Sequence, residues 1–432
     1  MTAGEAEKSA AEVEVDDHDG GAAVEAWSWG AGTDGQLGTG TLEDQLLPQP
    51  LHQFSDLRIS RVACGGAHSI ALTVDGKVLT WGRGTKGQLG HGEVVNCLKP
   101  KHVESLDRFV ITNVSAGWNH SGFVTVSGHL FMCGDGSFGQ LGTGDHQSHS
   151  SPTEVSYFVS EHVEQIACGM RHSLVLVRGP QESIIYGFGS AKHGQIGASE
   201  SGSHKVRSFN LPTLIYGFEN LKIAYIYANG DQSAALSADG QLYTWGRGFG
   251  GSSSNHSPCI LPSSLRFSQV ALGWNHALLI ADGEAYMLGG KHHGLLSSSQ
   301  PLKIEQQPST SSAQYTLDNL SSQSPPLERI HCIGEEKVVY IAAGAEHSAL
   351  VTEKGKILTW GWGEHGQLGL GNTDDQTIPH TVNITYKGRT SDHIRVYCGS
   401  GFTLMMTSPS LNLRHAYSTS TWHKAWFFLL LS

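Results

Sequence analysis

The sequence has few charged residues and lacks a long hydrophobic run. Asp, Glu, Lys and Arg make up 16% of its 432 residues, whereas about 25% is usual in globular proteins. This composition excludes a long disordered polyelectrolyte and an ordinary coiled coil. The longest apolar run, residues 425–431, is far shorter than the roughly 20 residues that a membrane-spanning helix requires. The sequence therefore predicts no membrane span.

Signals for secretion, disulfide bonding and nucleic-acid binding are also missing. The N-terminus has no basic segment followed by an apolar stretch, and the seven cysteines show no paired spacing. The formal net charge of −11 argues against direct nucleic-acid binding, which calls for a basic stripe to neutralise phosphates. We expect a soluble intracellular monomer located in the cytoplasm, the nucleus or both.

Glycine, in contrast, is abundant, with 54 residues among 432, against about 7% in an average protein. Glycine adopts the positive φ values that tight turns require at little steric cost. The composition therefore suits an all-β chain with many turns.

A glycine motif returns seven times along the chain. Its clearest form is Trp-Gly, four further residues and Gly-Gln-Leu-Gly, as at residues 29–38 and 81–90. Two of the later copies have lost the Gln-Leu-Gly. Successive copies are 52, 52, 55, 57, 43 and 72 residues apart, a spacing typical of repeat architectures. The first glycines of the copies are Gly30, Gly82, Gly134, Gly189, Gly246, Gly289 and Gly361.

A second motif, Gly-x-x-His, alternates with the first. Two copies replace the histidine, by Gln232 and by Phe402. Each copy is followed by an apolar strand, a turn such as Asp75-Gly76 and another strand, which predicts a β-hairpin. The histidines of the other five copies are His68, His120, His172, His276 and His347.

The two ends of the chain hold complementary halves of one repeat. The repeats begin on a Trp-Gly strand and end on the strand that follows Gly399. These halves form one unit only if the array closes into a ring, which also pairs the edges of an open array. The sequence therefore predicts an all-β fold, a seven-bladed β-propeller over residues 26–406, in which N- and C-terminal strands share one blade.

Three segments depart from the repeat. Residues 1–24 are acidic and alanine-rich, which predicts a disordered tail. An insert at about 297–326 is rich in Ser, Gln and Pro and predicts a flexible loop. That loop is either a tolerated surface insertion or a segment that docks a partner or is phosphorylated. Residues 407–432 belong to no repeat, and this tail either caps the propeller or is an unselected alternative end.

The repeat histidines are poor candidates for a metal site. In a propeller they lie in five separate blades, so they cannot converge on one ion with bonds of about 2 Å. We expect each to be a buried structural residue that bonds nearby backbone and fixes its turn.

Other residues that could carry chemistry also have structural interpretations. Cys64, Cys168 and Cys398 share one repeat position and are predicted to be small core residues. Neither a phosphate-binding loop nor a nucleophile elbow occurs in the sequence. We therefore expect no catalytic residue, no metal and no cofactor. The tryptophans of the Trp-Gly motif are predicted to be packing residues: Trp29, Trp81, Trp245 and Trp360.

The two residues between Gly and His in each repeat form the candidate partner-binding face. They lie in loops at one end of the ring, where a rigid scaffold presents variable side chains. Tryptophan and arginine dominate the energetics of many interfaces. Ordinary loop variation is the alternative. The predicted face contains Trp118, Asn119, Arg171, Asp231, Trp274, Asn275 and Glu346.

The paired motifs at a spacing of about 52 residues resemble the regulator of chromosome condensation repeat. The resemblance implies a propeller of four-stranded blades and guanine nucleotide exchange on a small GTPase, a function that needs no bond-making residue. Residues 360–366, Trp-Gly-Trp-Gly-Glu-His-Gly, are similar to a stretch of the secretion-regulating exchange factors. The basic N-terminal tail of the nucleosome-binding members is replaced by an acidic one.

Three functions follow from this resemblance. The first is a guanine nucleotide exchange factor, or an exchange-factor-like regulator, for a small GTPase. Its exchange on Ran is disfavoured because Trp118, Arg171 and Asn275 replace acidic and histidine residues of the exchange-active member. The second is a scaffold that binds an adaptor protein without catalysis. The third is an ultraviolet-B photoreceptor, disfavoured because Gly-Trp-x-His occurs only at Trp118 and Trp274, in units that are not neighbours.

Overall fold

The computed structural model describes residues 24–179, 183–197, 207–248, 254–290, 327–331, 336–385 and 394–407. The predicted N-terminal tail, the 297–326 insert and the C-terminal tail lie outside these ranges, apart from the boundary residues Val24 and Thr407. None of the helices in these ranges is long and apolar enough to cross a membrane.

Within the described ranges the chain forms seven four-stranded antiparallel sheets, numbered here as blades in ring order. Blades 1 and 2 consist of β3 (Ile59–Cys64), β4 (His68–Thr73), β5 (Val78–Gly82) and β6 (Cys97–His102), then β7 (Ile111–Ala116), β8 (His120–Thr125), β9 (Leu130–Gly134) and β10 (His149–Glu154). Blades 3 and 4 consist of β11 (Val163–Cys168), β12 (His172–Arg178), β13 (Ser183–Ser190) and β14 (Ser208–Ile215), then β15 (Ile223–Asn229), β16 (Gln232–Ser237), β17 (Leu242–Arg247) and β18 (Ser254–Ile260).

The remaining blades follow the same order from the axis outwards. Blades 5 and 6 consist of β19 (Gln269–Leu272), β20 (His276–Ala281), β21 (Glu284–Gly289) and β22 (Leu327–Arg329), then β23 (Val338–Ala343), β24 (His347–Thr352), β25 (Ile357–Gly361) and β26 (Gln376–Thr381). Blade 7 joins the two ends of the chain in the order β27 (Ile394–Cys398), β28 (Phe402–Thr407), β1 (Ala26–Gly30) and β2 (Gln45–Pro50). Short 3-10 helices span His52–Phe54, Glu104–Leu106 and Ser156–Phe158.

Blade 7 closes the ring as the sequence predicts. Strand β1 pairs with β28 over five residue pairs, from Ala26 opposite Met406 to Gly30 opposite Phe402. The indole Nε1 of Trp29 donates to the carbonyl of Gln367 in blade 6 at 2.9 Å. The closing strand therefore contacts both its own blade and the preceding one, and the fold is the predicted seven-bladed propeller.

The hydrophobic core lies between neighbouring blades, in seven clusters. The second strand of each blade is buried along almost its whole length because both of its faces meet a neighbouring blade. Trp81, for example, is fully buried and its ring centroid lies 5.6 Å from that of Phe54 in blade 7. The tryptophans of the Trp-Gly motif thus pack in these cores and carry no exposed surface.

The glycine of the Trp-Gly motif has a clear structural requirement. Gly82 has a φ of 98°, and a Cβ there would lie 2.5 Å from the carbonyl oxygen of Ala67. Any larger residue would be strained and would push away the Gly-x-x-His turn. The two sequence motifs therefore depend on each other for close packing.

Candidate partner-binding face

One end of the propeller carries both sets of motif loops. The Gly-x-x-His turns join the first and second strands of each blade, and the loops after Trp-Gly join the third and fourth strands. In an antiparallel sheet these connections lie at the same end. Together they form a surface that we call the loop face, with the Gly-x-x-His turns nearest the axis.

Hydrogen bonds between neighbouring blades fix the Gly-x-x-His turns. The residue after each glycine donates its backbone N–H to a carbonyl of the next turn in the ring, at distances of 2.9–3.2 Å. At the junction of blades 4 and 5 the side-chain amide of Gln232 donates to the carbonyl of Trp274 instead. The backbone donors are Gly66, Trp118, Met170, Trp274, Ala345 and Ser400.

The first variable residue of each turn lies close to the axis. Trp118 of blade 2 and Trp274 of blade 5 meet with ring centroids 5.2 Å apart at an angle of 52°. Both rings are half-buried and border a cavity of about 140 Å³ that is also lined by Cys64, Cys168 and Cys398. The two tryptophans are not neighbours in the ring, as the sequence indicated, yet they meet at its centre.

The three cavity cysteines are protonated thiols. They end the innermost strands of blades 1, 3 and 7 and also contact the interblade cores. Burial raises the pKa of both Cys168 and Cys398 to about 12, and raises the pKa of Cys64 as well. A thiol must ionise to act as a nucleophile or metal ligand, so these residues are suited to packing.

The second variable residue of each turn lies farther from the axis. Arg171 and Asn275 are exposed, whereas Asn119, Asp231 and Glu346 are half-buried. The guanidinium of Arg171 lies 4.9 Å from the ring centroid of Phe138, a cation–π contact. These five residues therefore carry most of the polar surface expected of the predicted face.

Asp231 is held in a network that the sequence did not predict. Its Oδ1 accepts a hydrogen bond from the Gln195 side chain at 3.0 Å, and its Oδ2 lies 3.7 Å from Nε2 of His193. Burial is the main cause that lowers the pKa of His193, and Asp231 opposes this shift. Gln195 is the glutamine of the fourth copy of the Gly-Gln-Leu-Gly motif. The sequence signal for this network was the polar residue Asp231 in the Gly-x-x-His turn of the next blade.

The charge of the loop face is mixed. Arg171, Lys192 and Arg247 lie in blades 3 and 4, whereas Glu346 and Glu364 lie in blade 6 on the other side of the axis. The uniformly acidic rim that would suit a basic partner is therefore absent from the part of the face that the structure describes.

The five repeat histidines are fully buried and bond across blade junctions. We expected them to bond the backbone of their own turns, and this is wrong. Each Nε2 instead lies within 3.0 Å of a hydroxyl group in the following blade, because the neighbouring second strand brings that hydroxyl to the ring. The pairs are His68 with Ser121, His120 with Ser173, His172 with Ser233, His276 with Ser348, and His347 with Thr403.

The hydrogen-bond network defines the protonation of these histidines. The hydroxyl of Ser233 donates its one hydrogen to the carbonyl of Gln195 at 2.6 Å. It must therefore accept from Nε2–H of His172. Burial lowers the pKa of His172 to about 3, so the ring is neutral at physiological pH. The Gln195 carbonyl also accepts from the indole of Trp245 at 2.9 Å, which completes a unit that we call the junction relay.

The junction between blades 4 and 5 lacks several relay residues together. Gln232 occupies the histidine position, Ala277 the hydroxyl position and Leu288 the tryptophan position. When one residue of the relay is replaced by a side chain that cannot take part in it, the other positions no longer need a hydrogen-bonding side chain. In six of the seven copies Ser or Thr directly follows the histidine position, and this was the sequence signal for the relay.

The described residues contain no group of three or more His, Cys, Asp or Glu side chains that could hold a metal ion. The repeat histidines stay in separate junctions, and their Nε2 atoms are already paired with hydroxyls. The absence of a metal or cofactor remains a prediction from the sequence.

Several curated proteins are similar to this chain. The ultraviolet-B receptor UVR8 of Arabidopsis thaliana is 28% identical over 86% of this chain and 68% of its own length. The mouse secretion-regulating guanine nucleotide exchange factor is 28% identical over 89% of this chain and 83% of its own. Human E3 ubiquitin-protein ligase HERC2 is 29% identical over 88% of this chain, which corresponds to only 6% of HERC2.

Solved structures show the same fold at lower identity. Human WBSCR16 matches with a TM-score of 0.72 and 24% identity, over 90% of this chain and all of that one. Prp20p of Saccharomyces cerevisiae matches with a TM-score of 0.71 and 22% identity, over 90% and 92% of the two chains.

Residues 25–405 match the RCC1-like domain. This range coincides with the closed ring, from the residue before β1 to the third residue from the end of β28. The phased motifs, the blade shared by the two ends and this match agree, and the chain therefore belongs to the RCC1-like domain family.

Proposed function

We propose that this protein binds a small GTPase through the loop face and acts as a guanine nucleotide exchange factor or a closely related regulator. The observation that carries the proposal is the rigid presentation of polar side chains. Asn119, Arg171, Asp231, Asn275 and Glu346 stand on turns that hydrogen bonds hold between neighbouring blades.

Exchange on a GTPase is a binding function. The factor must bind the nucleotide-free GTPase more tightly than the nucleotide-bound form, and it makes or breaks no covalent bond. Turns that are already ordered lose little conformational entropy on binding, so more of the contact energy appears as affinity. Trp118 and Trp274 contact each other at the centre of this surface and border the axial cavity.

Two relatives support this proposal. The name of the mouse secretion-regulating guanine nucleotide exchange factor states exchange activity, and this chain covers 83% of its length. The structure of Prp20p was described together with its binding to Gsp1p and histones. The acidic overall charge of this chain favours a protein partner over nucleic acid.

The test is release of fluorescent GDP from Ran and from a panel of secretory-pathway GTPases with stoichiometric protein added. We expect one GTPase to release GDP more than about a hundredfold faster, equivalent to about 2.7 kcal/mol of barrier lowering. The double variant Asn119→Ala with Asn275→Ala should reduce this acceleration at least tenfold. Arg58→Ala, at the opposite end of the propeller, should leave it unchanged.

A scaffold that binds a protein without catalysis is the second candidate. The same rigid turns can present a docking surface for an adaptor protein, and the mixed charge of the loop face fits such a partner as well as it fits a GTPase. If no GTPase of the panel releases GDP faster but the protein still captures a nucleotide-free GTPase, the result would support a non-catalytic regulator. A flat panel without capture of any GTPase would reject GTPase regulation and leave the scaffold.

A further inference from the structure

Three cationic residues lie on adjoining loops of the loop face. Arg171 belongs to the Gly-x-x-His turn of blade 3, Lys192 to the following loop of that blade, and Arg247 ends strand β17 of blade 4. The positive charges of all three contribute to the lowered pKa of His193. The geometry agrees, because the carbonyl of Asp231 accepts from the N–H of Arg247 and the carboxylate of Asp231 lies 3.7 Å from Nε2 of His193, the residue after Lys192. We call Arg171, Lys192 and Arg247 the basic cluster.

Two cations of the cluster have no ion-pair partner among the residues that the structure describes. Lys192 and Arg247 are exposed and form no ion pair with any residue in the described ranges. Asp231 is the anion next to His193, and it already accepts from Gln195 at 3.0 Å. Among the described residues, Asp231 is thus the carboxylate at this site, in a protein whose formal net charge is −11.

The backbone beneath the cluster is fixed before any partner arrives. The N–H of Ser190 donates to the carbonyl of Arg171 at 2.8 Å, and the N–H of Arg247 donates to the carbonyl of Asp231 at 2.9 Å. The guanidinium of Arg171 also rests on the ring of Phe138. A cation that is already positioned loses less side-chain entropy when it pairs with an anion.

We propose that the basic cluster binds an acidic segment of the partner protein, with carboxylates paired to Arg171, Lys192 and Arg247. The proposal rests on the proposed function only in that both use the loop face. Arginine pairs with carboxylates through two parallel hydrogen bonds, which gives the contact a direction as well as strength.

The rest of the face favours a short acidic peptide segment over a nucleic acid. Glu346 and Glu364 lie across the axis in blade 6, where they repel a long phosphate chain that crosses the face. A protein segment can place its carboxylates on one side and leave the other side to neutral or basic residues. The charge distribution thereby selects one rotational orientation of the partner, since the reverse orientation juxtaposes like charges.

The experiment measures binding of a fluorescein-labelled hexaglutamate peptide to the full chain by fluorescence anisotropy in 50 mM and 300 mM salt. We expect saturable binding that weakens as salt rises. The double variant Arg171→Glu with Arg247→Glu should weaken it at least tenfold. The control is Arg58→Glu with Arg108→Glu, which makes the same charge change on exposed arginines at the opposite end of the propeller and should change binding less than threefold. Circular dichroism melting of all three proteins checks that the fold is retained.

Three outcomes would overturn the proposal. They are absence of peptide binding, equal loss in the two double variants, and tighter binding of a six-nucleotide single strand that is lost in the cluster variant. The last outcome would identify a nucleic-acid site instead.

The GDP-release assay separates this proposal from the proposed function. If the double variant Arg171→Glu with Arg247→Glu retains full exchange activity, the basic cluster has no role in binding that GTPase. Peptide binding in a protein that lacks exchange would retain the cluster and favour the scaffold.

Discussion

A single buried histidine in this fold connects two blades. His172 belongs to blade 3, its hydroxyl partner Ser233 to blade 4, and the carbonyl that accepts from Ser233 belongs to Gln195 in blade 3. Hydrogen bonds therefore cross the junction in both directions within a few ångströms. The relay works only with a neutral imidazole, because the opposite ring nitrogen, Nδ1, has no hydrogen-bond partner in the described structure.

This arrangement predicts acid sensitivity. Burial lowers the pKa of His172 and His347 to about 3 and that of His120 to about 4, whereas an unfolded histidine has a pKa near 6.5. The unfolded chain binds more protons below pH 6.5, so this contribution to stability is complete above that pH and is lost as pH falls from 6.5 to the folded-state pKa values of about 3 to 4. Each such histidine should remove about 2 kcal/mol of unfolding free energy at pH 5. Urea unfolding at pH 7.5 and pH 5 measures the loss.

The matched variant is His172→Gln, which copies the residue that occupies this position in blade 4. It should lower stability at pH 7.5 by about 1–3 kcal/mol because a buried hydrogen bond is altered. Its further loss on going to pH 5 should be about 2 kcal/mol smaller than that of the unaltered protein. An unchanged pH dependence would show that His172 does not resist protonation in the fold.

The partner of the histidine was hard to predict because it lies 53 to 72 residues away. Sequence patterns within one repeat point to local backbone as the partner, whereas the ring places the next repeat against the imidazole. The sequence does indicate the pairing, because the histidine and the hydroxyl residue are replaced together, by Gln232 and Ala277. These two positions can be recognised as partners only when the order of the blades in the ring is known.

At the scale of strands, six of the seven described outer strands contain a proline at an equivalent position. Each of these prolines lies where the fourth strand shifts register against the third, as Pro258 does between Asn255 and Cys259. Proline has no N–H to offer, and a register shift bends the strand, so both features discourage pairing with another chain. Strand β22 is three residues long and has no proline. The outer-strand prolines are Pro48, Pro100, Pro152, Pro212, Pro258 and Pro379.

We expect Pro258→Val to raise the tendency of the folded protein to associate. The valine restores an N–H on an exposed edge and favours extended backbone, so another edge strand can pair with it. Static light scattering at several protein concentrations should show association at lower concentration than for the unaltered chain. Pro262→Val, in the loop that follows β18, is the matched control and should leave scattering unchanged. Equal scattering for both variants would reject a protective role of Pro258.

The strands were predictable because each repeat contains its own turn signals, such as Asp75-Gly76. The meeting of Trp118 and Trp274 was not, because their blades are separated in the ring by two others. Their contact depends on the narrow centre of the ring, where even residues of non-adjacent blades come within reach. The periodicity of the sequence carries no information about the width of the ring at its centre.

At the scale of the whole molecule, one strand decides whether the ring is closed. Strand β1 pairs with β28 and brings Trp29 to the carbonyl of Gln367 in blade 6. Phasing of the motifs at the two ends predicted this closure, since each end holds the half of a repeat that the other lacks. The identity of the partner was not predictable, because the loop-face residues vary between repeats without a phased pattern.

Deletion of residues 1–30 should abolish the stable monomer. It removes β1, leaves one edge of β28 unpaired and β2 without a partner, and empties the core position of Trp29, which is fully buried. Tryptophan truncation alone costs about 3–5 kcal/mol. We expect aggregation or loss of a cooperative melting transition by calorimetry. Deletion of residues 1–23, which leaves β1 intact, is the control, and an unchanged melting temperature for the longer deletion would refute ring closure by this strand.

The pairing of β1 with β28 also determines when the ring can close during synthesis of the chain. The backbone of Glu25 is hydrogen-bonded to Thr407, which lies 382 residues later in the chain. At translation rates of about 5–20 residues per second, the first strand waits roughly 20–80 s for its partner to leave the ribosome. During that interval β1 and β2 form a lone hairpin with an unpaired edge, and such a hairpin is marginally stable in water. Until β28 has been made and can pair with β1, the nascent chain is a natural substrate for chaperones.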